Sequence, residues 1–341
     1  MKKHYNIPVF ITHSGCKNDC VFCNQKVITG RSESAGVKEA RETIEKFIDI
    51  ISNFNRIDSN SVDTEIAFFG GSFTGLKREE MLEFLQIANE YINKYNFISG
   101  IRLSTRPDYI SEEIVEILLK HKVKSIELGI QSMFDEVLTA CKRGHTVKDT
   151  ERACAIIKSV SINLTGQMML GLPESDREKD IETAKMLVKL GINSARIYPT
   201  IILQNTMLYK IYEQNMYAPI SIDDALYRAK EIKKIFDLNN IEILRMGLCS
   251  SDDVNVNACI GPYHPAFGEL VESEIIYDSL FEELTEIKNA ERKFVIETAK
   301  TNMSKIVGHK RKNILRLREN FKNIEIVENN DIKEMYNIII K

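Results

Sequence analysis

The chain has 341 residues, of which 43% are hydrophobic and 28% charged, and its formal net charge is −3. These proportions are ordinary for a globular protein. No stretch approaches the ~20 apolar residues that span a bilayer, so we expect no membrane-spanning segment and no membrane partner. The small net charge gives no overall reason to expect binding to nucleic acid. Because the first ten residues lack the apolar segment of a secretory signal, we expect a cytoplasmic protein.

Short apolar segments alternate along the chain with amphipathic segments of helical period. Strands are predicted at 7–12, 65–69, 100–104, 124–130, 162–170 and 194–200, and helices at 37–53, 78–95, 111–121, 146–159 and 176–190. Because the strands are continuously apolar and a helix follows each of them, the pattern predicts right-handed βαβ units and a parallel sheet. Periodicity alone leaves open whether this sheet is a partial barrel or a doubly wound sheet.

The alternation stops after a further predicted helix at 222–238 and a strand at 241–245. The next segment, 250–270, is rich in turn residues and contains Pro262 and Pro265 close together. We therefore predict two domains, a core of residues 1–245 and a small α+β extension of residues 246–341. Within the extension, a helix is predicted at 274–287 and a strand at 323–329.

Three of the seven cysteines, Cys16, Cys20 and Cys23, lie within eight positions, directly after the first predicted strand. An odd number of crowded cysteines is a poor disulfide framework, and in a reducing compartment it favours a metal or redox site. Three thiolates spaced C-x3-C-x2-C suit a [4Fe–4S] cluster with one iron left open to another ligand. A zinc site completed by His13 is one alternative, and unrelated buried thiols are another.

This spacing, with the aromatic Phe22 before the third cysteine, resembles the signature of the radical S-adenosylmethionine (SAM) superfamily. The resemblance implies a partial (β/α)6 parallel barrel in which the open iron binds the amino and carboxylate groups of SAM, with Phe22 beside the adenine. It also implies a one-electron donor of flavodoxin or ferredoxin type. The electron cleaves SAM to methionine and a 5′-deoxyadenosyl radical, which abstracts hydrogen from a substrate.

Polar motifs at the ends of the later strands fit the same interpretation. Gly70-Gly71-Ser72 follows the second strand, where glycines let the backbone turn sharply, and the resemblance implies that it holds the methionine end of SAM. A plain turn is the alternative. Further candidates for cofactor contact are Ser104, Arg106, Glu127, Gln131 and Gln167, and candidates for substrate contact are Arg143, His145, Arg196 and Tyr198. For each of these, a surface charge, an ion pair or a helix cap remains the structural alternative.

Longer phrases narrow the resemblance to one branch of the superfamily. HSGCKNDCVFCNQ, FFGGSFTG, STRPDYI, IELGIQSM, RGHT, GQMMLGLP and RIYPT are similar to the radical domain of the Elongator catalytic subunit and its bacterial relatives, over about residues 5–245. The cysteine spacing is shorter than in the Elongator subunit, and no length remains for that subunit's acetyltransferase domain. Acetyl transfer is therefore not carried over to this chain, and the resemblance implies radical chemistry with RNA, above all tRNA, as substrate.

A basic segment near the C-terminus bears on that substrate. Residues 300–322 contain eight Lys and Arg residues against the single acid Glu319, and they are predicted to form one face of an amphipathic helix. Lys310, Arg311 and Lys312 are the candidates for phosphate contact, and a solvated face is the alternative.

Two other functions stay open at this point. One is radical SAM chemistry on a small molecule such as a tetrapyrrole or cofactor precursor. The other is a cluster- or haem-handling protein without turnover. The sequence assigns no role to Cys141 and Cys154, and it favours structural burial for Cys249 and Cys259.

Overall fold

The computed structural model describes residues 3–12, 14–17, 19–24, 35–53, 62–248, 259–287, 293–321 and 323–340. Its main feature is a seven-stranded parallel sheet. In their order across the sheet, the strands are β1 (Lys3–Phe10), β2 (Val62–Phe69), β3 (Ile98–Thr105), β4 (Val123–Gln131), β5 (Asn163–Leu170), β6 (Ser194–Pro199) and β8 (Glu242–Met246). A two-stranded antiparallel ribbon joins β7 (Ile202–Leu203) to β9 (Cys259–Ile260).

Helices follow the strands as the sequence predicted. Those of the N-terminal two thirds are α1 (Val37–Asn53), α2 (Arg78–Lys94), α3 (Glu112–Lys120), α4 (Asp135–Ala140), α5 (Val147–Lys158), α6 (Arg177–Leu190), α7 (Met207–Glu213) and α8 (Ile222–Leu238). Several begin at a side chain that caps a backbone N–H, among them Ser111, Asp176 and Ser221. None of the described helices is long and apolar enough to cross a membrane.

The sheet curves into a partial barrel, which confirms that prediction over the doubly wound alternative. Phe10 on the first edge strand and Arg245 on the last edge strand line the same cavity, which a flat sheet would not permit. The segment predicted as a strand at 241–245 joins this sheet, so that it has seven strands where the resemblance implied six.

Strand β4 shows how the sequence divides between the two faces of the sheet. Successive side chains of a strand point to opposite faces. Ile126, Leu128 and Ile130 are fully buried in the main hydrophobic core, whereas Glu127 and Gly129 between them line the barrel cavity. The inner face is therefore polar and the outer face apolar.

A carboxylate lies among polar side chains in the middle of strand β2. Glu65 on β2 is 4% exposed and accepts hydrogen bonds from Arg102 Nε at 2.8 Å and from Ser125 Oγ at 3.0 Å. The imidazole of His4 lies 3.4 Å from the same carboxylate. Burial raises the pKa of Glu65, but these hydrogen bonds and charges outweigh it and lower the pKa to about 2.

Glu65→Gln is expected to lower the free energy of unfolding by about 3 kcal/mol at pH 7, since each pKa unit corresponds to about 1.4 kcal/mol. A carboxylate whose pKa is lowered by folding stabilises above its unfolded pKa of 4.5, and this contribution is lost as the pH falls toward 2. Urea unfolding at pH 7 and pH 3 measures both effects, and the difference between variant and wild type should shrink at pH 3.

Glu113→Gln is the control, because it removes an exposed ion pair with Arg78 and should cost less than about 1 kcal/mol. Equal stabilities of Glu65→Gln and Glu113→Gln at pH 7 would contradict the assignment.

The C-terminal part has its own sheet and hydrophobic core. Strand β10 (Phe294–Thr298) lies between the parallel β11 (Ile324–Glu328) and the antiparallel β12 (Asn337–Ile340). The remaining helices are α9 (Phe267–Glu286), α10 (Met303–Val307) and α11 (Lys312–Asn320). Buried residues of this second core include Leu280, Phe294, Ile314 and Leu317.

The prediction of one amphipathic helix over 300–322 is wrong. A short 3-10 turn, His309–Arg311, separates α10 from α11, and Lys310 and Arg311 have φ values of 51° and 65°. Left-handed residues cannot continue a right-handed helix. The turn is fixed by buried Asn313, which donates to the Ser273 carbonyl at 2.8 Å and leaves no room for a side chain at Gly308.

Candidate functional site

A cavity of about 1100 Å³ opens at the carboxyl ends of the barrel strands, where parallel β/α proteins hold their functional residues. It brings together most of the residues predicted from the sequence. Those that line it are Cys16, Cys20, Phe22, Cys23, Gly70, Gly71, Ser72, Ser104, Arg106, Glu127, Gln131, Arg143, Gln167, Arg196 and Tyr198. The predicted residues His145, Lys310, Arg311 and Lys312 do not line it.

The loop that carries the cysteines is anchored at its middle by Val21. This side chain is fully buried in a small core with Val137, Leu172 and Leu208. Its N–H donates to the Cys141 carbonyl at 3.2 Å, and its carbonyl accepts from the Leu208 N–H at 2.7 Å. Segments following β4 and β7 therefore fix the cysteine loop from two sides.

The three cysteines are half-buried and have different neighbours. Cys16 Sγ lies 3.3 Å from Ser72 Oγ, and Cys20 Sγ accepts a hydrogen bond from Arg143 Nη1 at 3.1 Å. The N–H of Cys23 donates to the carbonyl of Cys20 at 3.0 Å. Within the described ranges no three His, Cys, Asp or Glu side chains form a group that could hold a single metal ion. His13, the fourth ligand of the zinc alternative, lies outside the described residues.

The Gly70-Gly71-Ser72 motif packs backbone to backbone against the start of the cysteine loop. The N–H of Ser72 donates to the Ser14 carbonyl at 2.9 Å. A Cβ on Gly71 would lie 2.4 Å from the carbonyl oxygens of both Ile11 and Ser14. Only glycine permits this approach, so the motif and the cysteine loop form one unit.

An ion pair crosses the inner face of the barrel. Glu127 Oε2 lies 2.7 Å from Arg196 Nε, and Arg196 Nη1 donates to Tyr198 Oη at 3.3 Å. Burial raises the pKa of Glu127, whereas the guanidinium of Arg196 acts in the opposite direction. The sequence left Glu127 as either a cofactor contact or one half of an ion pair. In the structure it has an ion-pair partner and also lines the cavity.

The other polar candidates lie around the same wall. Arg106 is buried and donates to both carboxylate oxygens of Asp108, with Nε at 2.9 Å from Oδ1. Gln131 follows a bulge in β4, has a φ of 72°, and accepts from Gln167 Nε2 at 3.3 Å. A left-handed non-glycine residue at a cavity is a strained position typical of functional sites. Ser104 is half-buried at the end of β3.

His145 lies beneath the cavity wall rather than in it. Its ring is 3% exposed, and burial, followed by the charges of Arg143 and Arg106, lowers its pKa to about 3. The imidazole is therefore neutral at physiological pH.

The basic residues of the C-terminal part lie apart from the cavity lining. Lys312 Nζ lies 2.9 Å from Asp223 Oδ1 and 3.2 Å from Glu274 Oε1, whereas Lys310 and Arg311 are exposed on the 3-10 turn.

Sequence reasoning missed part of the lining. Lys17, Lys142 and Arg245 also line the cavity, as do the apolar Met169, Ile201, Leu203, Met207 and Leu248. The sequence favours a core position for Met169, and the side chain both packs against the small core around Val21 and lines the cavity. Arg245 closes the predicted strand at 241–245, so the rule that carboxyl ends carry function could have found it.

The other described cysteines differ in burial. Burial raises the pKa of both Cys141 and Cys154 to about 12, which makes them poor nucleophiles. Cys259 is half-buried, and Cys249 lies outside the described residues.

Comparison with known proteins agrees with this arrangement. Residues 10–187, more than half of the chain, match the model of the Radical SAM superfamily. The chain belongs to the radical SAM superfamily. Residues 192–277 match the Radical_SAM C-terminal domain.

Individual relatives of this radical SAM protein point to one branch. It is 33% identical over 127 residues to the tRNA uridine(34) acetyltransferase of Methanocaldococcus jannaschii, covering 36% of this chain and 24% of that protein. It is 27% identical over 182 residues to Elongator complex protein 3 of Saccharomyces cerevisiae, covering 48% of this chain and 33% of that protein. The chain thus spans a third or less of the length of these relatives.

The fold is that of the archaeal Elp3 of Methanocaldococcus infernus. The two structures match with a TM-score of 0.63 at 21% identity, covering 82% of this chain and 64% of the other.

The cofactors of the superfamily are a [4Fe–4S] cluster and SAM, as predicted, and the protein is a radical SAM enzyme. The residues at the cavity fit the cluster. Three thiols are the donor set that iron–sulfur clusters take. The Ser72 hydroxyl beside Cys16 and the Arg143 guanidinium beside Cys20 lie where they can stabilise the negative charge of a thiolate.

Proposed function

We propose that this radical SAM enzyme modifies tRNA in the cytoplasm, with residues 1–245 carrying the chemistry and residues 246–341 contributing to RNA binding. The observation that carries the proposal is the surplus of positive charge in the cavity. A relative that is a tRNA uridine(34) acetyltransferase also supports tRNA as the substrate.

Three cations of the cavity are available to an anionic substrate. Arg106 is paired with Asp108 and Arg196 with Glu127, and Arg143 donates to Cys20. Lys17, Lys142 and Arg245 form no ion pair with a carboxylate among the residues described. Asp19 also lines the cavity and offsets only one of these three charges. Cations clustered at a cleft attract phosphates and raise the rate of encounter with RNA.

The chain's own residues take the following roles. The thiols of Cys16, Cys20 and Cys23 would hold the cluster, and Gly70, Gly71 and Ser72 the methionine end of SAM, with Phe22 beside the adenine. Ser104, Arg106, Glu127, Gln131 and Gln167 would contact the remaining polar atoms of SAM. When bound, the two cofactors supply one-electron cleavage of the sulfonium, with the electron coming from a flavodoxin- or ferredoxin-type donor.

The far wall of the cavity would receive the base that is modified. Arg196 and Tyr198 offer polar groups there, next to the apolar Ile201, Leu203 and Met207. Such a wall excludes water from a reactive centre, which limits side reactions. The ion pair of Glu127 with Arg196 would keep the guanidinium in place.

The direct test supplies the reconstituted enzyme with SAM, a reductant and bulk tRNA. Addition of tRNA should increase the release of 5′-deoxyadenosine and yield a nucleoside of altered mass. Release that is unaffected by tRNA but increased by a small molecule from a cell extract would contradict the proposal and favour the small-molecule alternative.

The 3-10 turn His309–Arg311, called the basic turn below, gives a separate prediction. Replacing Lys310 and Arg311 together with glutamine should weaken tRNA binding and reduce the slope of log Kd against log salt concentration by about two, one for each phosphate that the variant no longer neutralises. Filter binding at several salt concentrations measures the slope.

Lys38→Gln combined with Lys46→Gln is the matched control, because both are exposed on α1 and do not line the cavity. Equal slopes for the two double variants would exclude the basic turn as a specific contact.

A further inference from the structure

Arg143 makes a contact that neither the sequence nor the family comparison assigns. It follows helix α4, is 6% exposed, and lies 123 positions from Cys20 in the chain. Its Nη1 donates to Cys20 Sγ at 3.1 Å, and its Nη2 donates to the carbonyl of Gly129. The sequence suggested contact with substrate, whereas the geometry directs this guanidinium at a sulfur.

The position of Arg143 is fixed by the backbone around it. Its own N–H donates to the Leu138 carbonyl at 2.9 Å. The Gly129 carbonyl belongs to β4, beside the bulge that precedes Gln131. A Cβ at Gly129 would come within 3.2 Å of Arg143 Nη2, so the glycine allows the guanidinium to approach the strand. Because both terminal nitrogens of this buried guanidinium donate hydrogen bonds, its orientation toward Cys20 is fixed.

A hydrogen bond from a cation to a cysteine ligand changes the redox balance of a cluster. The potential of an iron–sulfur cluster depends on the hydrogen bonds to its sulfurs, on net charge and on solvent exposure. Reduction adds one electron, supplied by dithionite in vitro or by the donor protein in the cell, and no bond breaks and no proton moves. Because the added charge spreads onto the sulfurs, a cationic donor stabilises the reduced form more than the oxidised form.

We propose that Arg143 is a positioning residue that raises the reduction potential of the cluster by donating to the Cys20 thiolate. The proposal rests on the proposed function, in which Cys20 is a cluster ligand. Arg143 makes the cluster easier for the electron donor to reduce.

The test is a potentiometric titration of the reconstituted full-length protein without SAM, followed by electron paramagnetic resonance of the reduced cluster. In Arg143→Gln the ratio of reduced to oxidised cluster at a fixed potential should fall at least tenfold, which is a shift of about 59 mV to more negative potential. Arg143→Lys keeps the charge and should recover part of the shift.

Lys142→Gln is the matched control, because it removes one positive charge from the adjacent, exposed residue of the same cavity. The midpoint reduction potential of the cluster should shift much less in Lys142→Gln than in Arg143→Gln. Equal shifts in the two variants would assign the effect to net charge and overturn the proposal, as would an unchanged midpoint in Arg143→Gln.

A second measurement needs no variant. Wild-type protein labelled with 15N-arginine should show a coupling between 15N and the reduced cluster in pulsed resonance spectra, and absence of the coupling overturns the proposal even where Arg143→Gln fails to fold. Failure of the wild type to assemble a cluster would instead count against the proposed function, so the two failures are distinguishable.

Discussion

Cys20→Ala is expected to reduce the iron content of the reconstituted protein from about four atoms per chain to below about one, because a cluster with an open iron has no thiolate to spare. Reductive release of 5′-deoxyadenosine should fall to background. The substitution also removes the acceptor of the Arg143 hydrogen bond and leaves a buried cation facing an apolar methyl group. Iron analysis and chromatography of the products measure both effects.

Cys259→Ala is the matched control for this experiment. Cys259 is half-buried on β9 and is absent from the lining of the cavity. It should retain the cluster and the release of 5′-deoxyadenosine. A Cys20→Ala protein that still releases 5′-deoxyadenosine would remove Cys20 from the mechanism.

Gly71→Ala should also be severe, although it removes no ligand. The added methyl group would lie 2.4 Å from two backbone oxygens, those of Ile11 and Ser14, and neither can move without displacing the cysteine loop. Because the same loop leads to Cys16, we expect lower iron content and at least tenfold weaker SAM binding, about 1.4 kcal/mol. Equilibrium binding of SAM to the reconstituted protein measures the loss.

Gly268→Ala makes the same chemical change where space exists. The nearest atom to its Cβ would be the Met246 carbonyl oxygen at 3.6 Å, an ordinary contact. This variant should bind SAM as the wild type does. Equal affinities of the two alanine variants would mean that the Gly71 contact has no bearing on cofactor binding.

The sequence predicted the fold well where local periodicity and packing agree. The helix predicted at 222–238 has these bounds, and β4 differs from its predicted range by one residue at each end. The alternation of Ile126, Glu127 and Leu128 already separates a face for the helices from a face for the cavity. Most cavity residues follow from the rule that strands end at the functional face.

Contacts between distant parts of the chain could not be predicted in the same way. Nothing local connects Arg143 to Cys20, and the sequence marks the start of the helix after Arg143 only poorly. The structure shows a capping box there, with Thr146 and Asp149 bonded reciprocally. Asp149 is the third residue of this helix, where a capping box usually has glutamate, so the sequence predicts the start of the helix less clearly.

The C-terminal part shows the limits of charge patterns. Eight cations over 300–322 suggested one continuous basic face, but Asn313 and Gly308 break the segment. Lys312 and Arg316 then turn toward the carboxylate of Glu274, and Arg316 lies 3.6 Å from the centre of the Tyr277 ring. Only tertiary contacts decide which cations remain available to a phosphate.

The most direct measurement of the central claim is nucleoside mass spectrometry of tRNA from a strain that lacks this gene, compared with its parent. We predict that one modified nucleoside is absent from the deletion strain. The wild-type gene should restore it, whereas a gene encoding Cys20→Ala should not. Identical nucleoside profiles in parent and deletion strain would contradict a role in tRNA modification, and restoration by Cys20→Ala would contradict radical chemistry at this site.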